Sequence, residues 1–139
     1  MKTTAQFYTT FALMTWLSSA LADVAIPDPG LNAAVREALN KPTGPLTELD
    51  LLSLANLDAA NRDINSLEGL AAALNLVSLE LQSNHLANLV VPSALTKLAT
   101  VDLSFNPLRS CSFPDGLTNL NRVLLKSCQL TNLTFLATW

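Results

Sequence analysis

The chain has 139 residues, a net charge of −3 and only 14% charged residues. That balance offers no basic surface for nucleic acid or an anionic membrane, and the length suits one domain. Two cysteines and one histidine, without zinc-type spacing, leave little material for a metal or catalytic centre.

The first residues read as an export signal. Lys2 is the one early cation, an apolar run spans Phe11 to Leu17, and Ala20-Leu21-Ala22 comes next as a small-x-small cleavage site. The run is shorter than the ~20 residues that cross a bilayer. Residues 1–22 are therefore expected to be a cleaved signal peptide, and the mature protein to be secreted or held at the cell surface.

Residues 23–53 are expected to form a helical cap. Asp28 suits an N-cap and Pro29 the first helical position. Leu31, Val35 and Leu39 recur at helical spacing, and Asn40 with Pro42 ends the helix. A second short helix is predicted after Thr47, with Asp50 three residues on. It is expected to present Leu49, Leu52 and Leu54 to the core of the chain segment that begins at residue 54.

From residue 54 onward one phrase recurs. Leu54, Leu76, Leu98 and Leu120 open successive copies 22 residues apart. The phrase is L-x-x-L-x-L-x-x-N-x-L, clearest in LVSLELQSNHL and LATVDLSFNPL, and degenerate in LANLDAANRDI. This is a leucine-rich repeat, so the expected fold is α/β: a right-handed solenoid with a short parallel sheet. Pairs such as Leu79 and Leu81, or Val101 and Leu103, alternate as half-buried strands do. With the opening leucine as position 1, position 9 holds Arg62, Asn84, Asn106 and Cys128. Inward asparagines there can bond backbone groups left open where the strand bends. Arg62 breaks the pattern, so the first coil should be irregular at that corner. Position 17 holds Leu70, Pro92, Pro114 and Leu136, and proline excludes helix from the middle arms. Irregular convex arms are expected.

The combination IPDPGLNAAVREAL, a second short helix and LANLDAANRDINSLEGL resembles the start of bacterial internalin-type leucine-rich repeat proteins. The resemblance runs from about Ile26 to the end of the chain. It implies a helical cap on a repeat solenoid, and a concave strand face that binds protein. Such proteins usually carry more coils and a C-terminal cap. Four repeats over residues 54–139 with an open last coil point either to a piece of a longer protein or to self-association through that end.

The chemistry-bearing residues are few. His85 sits alone in a turn, and no phosphate loop, dinucleotide fingerprint or nucleophile elbow is present. No enzyme activity, cofactor or metal is expected. Outward position 5 carries Asp58, Glu80 and Asp102, then Leu124; stacked carboxylates either await a basic partner or are simply solvated. Arg122 and Lys126 flank Leu124 on the fourth strand, so the face grades from acidic to basic. Phe105, at position 8, is either an exposed anchor or tucked beside Phe113. Aromatic and arginine side chains are enriched at binding hot spots, which makes Phe105 and Arg122 the expected central contacts for a protein ligand. Cys111 and Cys128 lie on adjacent coils at different corners, which favours two free thiols over a bridge. Asn132-Leu133-Thr134 matches a glycosylation acceptor, meaningful only in a eukaryotic secretory route.

Overall fold

The computed structural model describes residues 22–135. The signal-peptide reading therefore falls almost wholly outside the described residues, as do Leu136 and Trp139.

Helix α1, Pro29–Ala38, starts where the sequence places it: Asp28 Oδ1 accepts the Leu31 amide at 3.0 Å. Leu31, Ala34 and Val35 are buried along one side. The same carboxylate has a second task. Its Oδ2 accepts the amides of Asn65 and Ser66, at 2.8 and 3.2 Å, and so staples the cap to the first coil. Gly30 permits this approach, because a Cβ there would lie 2.0 Å from the Arg62 carbonyl oxygen. Helix α2, Glu48–Leu52, opens with a capping box between Thr47 and Asp50. Its buried side chain is Leu51, while Leu49 is 56% exposed and Leu52 half-buried. Contrary to the expectation from the sequence, Leu49 does not face the core. In a single turn Leu51 and Leu54 lie three apart and share the inner side, which leaves Leu49 facing away.

Beyond the cap, strands β1 (Asn56–Asp58), β2 (Ser78–Glu80), β4 (Thr100–Asp102) and β6 (Arg122–Leu124) form one parallel sheet. Leu57 pairs with Leu79, Leu79 with Val101 and Val101 with Val123, each step a full repeat. Alternate side chains turn inward, so Leu57, Leu79 and Val101 are buried, as are Ala59, Leu81 and Leu103. Each coil fills its neighbours' core, as a solenoid requires.

The arms are more ordered than the sequence suggests. β3 (Asn88–Val90), β5 (Ser110–Phe113) and β7 (Asn132–Phe135) form a second parallel sheet. Leu89 pairs with Cys111 and Cys111 with Leu133. Position 14 thus makes its own column, because an equal repeat brings extended arms into register just as it does the strands. The first arm instead turns through a 3₁₀ helix at Leu70–Ala72. Both cysteines are free thiols, Cys111 buried and Cys128 half-buried. In the last coil Leu120 stays buried, Val123, Leu125 and Leu130 are half-buried, and Leu133 and Phe135 are 41% exposed.

Candidate functional site

The outer face of the first sheet is held in shape by its corners. Asn84 is 3% exposed, and its Oδ1 accepts the amides of Arg62 and Ile64, both at 3.0 Å. Its Nδ2 donates to the carbonyls of Ala59 and Leu81 at 2.8 and 2.9 Å. Asn106 repeats the pattern one coil on, donating to Leu81 and Leu103 and accepting from Leu86. At the fourth coil Cys128 offers a weaker Sγ contact to the Leu103 carbonyl at 3.4 Å. The first coil departs from the ladder at Arg62, which turns outward to pair with Glu37 of α1 at 2.5 Å. The cap thereby takes over the irregular corner.

One residue before each of these corners the backbone is left-handed. Asn61, Ser83, Phe105 and Ser127 have φ of 56°, 58°, 58° and 54°. The corner imposes this conformation, since the amide of each of the first three donates to a carbonyl of the next coil. Asparagine and serine tolerate it; a bulky phenylalanine is a genuine outlier there. Phe105 is 50% exposed, and the Lys126 ammonium lies 5.5 Å from its ring centroid. It is not tucked beside Phe113, which is buried and stacks on Phe135 with centroids 4.9 Å apart. The αL column is the signal that sequence reasoning missed: three of its four members are small and polar, and Phe105 stands out against them.

The acidic column is less available than its spacing suggests. Asp58 Oδ1 accepts the Ala60 amide at 3.1 Å, and Asp102 Oδ1 accepts the Ser104 amide at 2.8 Å. Each carboxylate closes the turn that ends its own strand, a habit of Asp two residues before a free amide. Glu80 sits between them in register and is exposed. Arg122 and Lys126 are exposed and Leu124 is half-buried, paired in register with Asp102. The sheet thus brings Asp58, Glu80, Asp102 and Leu124 into one column, and places Phe105 against Lys126.

Elsewhere the chemistry is sparse. His85 Nδ1 lies 3.6 Å from Asp63 Oδ1, with both side chains open to solvent. Among the described residues no group of three His, Cys, Asp or Glu side chains could hold a metal ion. No described helix is long and apolar enough to cross a membrane. Burial raises the thiol of Cys111 to about 11, with Cys128 adding to the effect, so it is no nucleophile at neutral pH.

No family model matches the sequence, and no curated protein matches it. Among solved structures, the chain is similar to internalin C2 of Listeria monocytogenes. The two share 24% identity over 86% of this chain and 71% of that one, with a TM-score of 0.59. Internalin F of Listeria monocytogenes matches at 19% identity over 76% of this chain and 45% of that one, with a TM-score of 0.49. A structure of Clostridium perfringens ZmpB matches at 30% identity over 61% of this chain and 19% of that one, with a TM-score of 0.47. The likeness to internalin C2 shows the fold, an internalin-type leucine-rich repeat solenoid.

Proposed function

Starting from this internalin-type solenoid, we propose that the chain is an exported, non-enzymatic module that binds a protein through the outer face of its first sheet. The observation that carries the reading is Phe105. A half-exposed aromatic ring is held in an unfavourable backbone conformation at the edge of a mostly polar strand face. Left-handed backbone at a bulky residue costs on the order of 1–2 kcal/mol, and such cost concentrates where a side chain is used. Arg122, Leu124 and Lys126 lie on the neighbouring strand and its end, and Asp58, Glu80 and Asp102 line the rest of the face. Export is supported by the layout of residues 1–22 and would follow from cleavage after Ala22. The sparse titratable groups favour binding over catalysis.

A photoreactive residue tests the face directly. Placed at Glu80 it should form adducts with a partner in material from the source organism, and placed at Lys97 it should not. The double variant Phe105→Ala, Arg122→Glu should weaken capture at least tenfold while keeping the native circular dichroism. Adducts from Lys97 alone, or capture untouched by the double variant, would reject this face.

A further inference from the structure

We infer that the corner between the third and fourth coils takes an acidic segment of a partner protein, with an apolar side chain laid against Phe105 and carboxylates held by Arg122 and Lys126. The inference rests on the proposed binding face and names its partner chemistry.

Charge complementarity selects this occupant. Of the seven lysines and arginines among the described residues, four are engaged, and Arg109 is exposed just before β5 of the second sheet. Lys41 pairs with Asp50, Arg62 with Glu37, Arg36 bonds Asn32 and the Lys41 carbonyl, and Lys97 bonds Asn75. Arg122 and Lys126 are exposed and, among the described residues, neither enters an ion pair. They lie four residues apart on β6 and just past its end, on a chain of net charge −3. Asp102, in register with Leu124, has its Oδ1 turned to the Ser104 amide and forms no ion pair with either cation. Lys126 has the face of Phe105 beneath it, at 5.5 Å. A ring capped by an ammonium, with the half-buried Leu124 on the strand that leads to Lys126, offers apolar contact and positive charge together.

The register also limits what fits. Asp102 is paired directly with Leu124, and Glu80 with Asp102. A continuous polyanion laid along the stack would meet these carboxylates after one coil. Strands lie ~4.8 Å apart, well inside the screening length of ~8 Å at physiological salt, so the repulsion is felt. Nucleic acid running along the stack is disfavoured by Asp102, Glu80 and Asp58 in succession, whereas a short acidic and apolar stretch of protein meets Asp102 alone beside the two cations.

Amide-resolved nuclear magnetic resonance of the purified chain provides the test. The probes are a dodecapeptide alternating Glu with Leu and Phe, its Lys-for-Glu counterpart, and a twelve-base single-stranded oligonucleotide. The acidic peptide at up to millimolar concentration should move the amides of Phe105 and of residues 122–126. Arg122→Glu with Lys126→Glu should weaken this at least tenfold, and Phe105→Ala several-fold, with amides of the first coil unmoved. Lys97→Gln, off this face, should leave binding unchanged. Several outcomes overturn the inference: no movement at the corner, equal response to the basic peptide or the oligonucleotide, or binding that survives the double reversal. If the corner stays silent while Glu80 crosslinks still trap a partner, the binding face stands and only its acidic specificity falls.

Discussion

Replacing Asn84 with alanine removes its four short hydrogen bonds at once, and the structure allows the loss to be apportioned. The Leu81 carbonyl keeps a partner, because Asn106 Nδ2 also donates to it at 2.8 Å. The Arg62 amide is only partly buried and can recruit water. The Ile64 amide and the Ala59 carbonyl are enclosed and lose their bonds to this side chain outright. Each such orphan costs ~1–3 kcal/mol, so Asn84→Ala should destabilise by about 3–5 kcal/mol. That is a large part of the ~5–15 kcal/mol that holds a domain together. Urea unfolding is the assay: with a slope of ~1–3 kcal/mol/M the midpoint should fall by at least about 1 M, the slope itself unchanged. Asn121→Ala, an exposed asparagine whose Nδ2 makes one long bond of 3.4 Å to the Asn119 carbonyl, is the control and should cost less than ~0.5 kcal/mol. A loss at Asn84 below ~1 kcal/mol, or equal to the control, would refute the idea that the asparagine ladder carries the coil corners.

At Phe105 the usual order of small residues should invert: Phe105→Gly should be more stable than Phe105→Ala by ~0.5–1 kcal/mol in the same assay, because φ of 58° penalises a Cβ. Acid should weaken the cap. The Lys41 and Thr47 bonds hold Asp50 down to about 2 from an ordinary 3.8, and backbone amides hold Asp28 below its ordinary value against the opposing effect of burial. Unfolded carboxylates take up protons first, so melting temperature should hold above pH about 4 and fall toward pH 2, and Asp28→Asn with Asp50→Asn should flatten that fall. A thiol reagent at pH 8 should label Cys128 well before the more deeply buried Cys111, whose thiol burial raises to about 11. Mass spectrometry showing neither labelled and two hydrogens missing would reveal a bridge instead.

Much of the architecture is legible because the repeat is an equal one. A constant step of 22 residues forces Leu57, Leu79, Val101 and Val123 into one column and Leu89, Cys111 and Leu133 into another. Both helix starts are legible for a similar reason: Asp28 and Thr47 act on amides three residues away. The candidate face is legible only as a set of positions. Position 5 reads as a column of free carboxylates, yet Asp58 and Asp102 close their own turns.

The sequence by itself determined the period, the alternation of buried and exposed residues along each strand, and the caps of the two helices, because each depends on groups a few residues apart or on strict repetition. Only the tertiary structure decided the rest. It turned Leu51 inward in place of Leu49, paired the extended arms as a second sheet, and gave Asp28 a further hold on Asn65 and Ser66, 37 and 38 residues away. It also set Phe105 in left-handed backbone under Lys126. These features arise where one coil constrains the next, and a contact between distant residues has a geometry that no local pattern specifies.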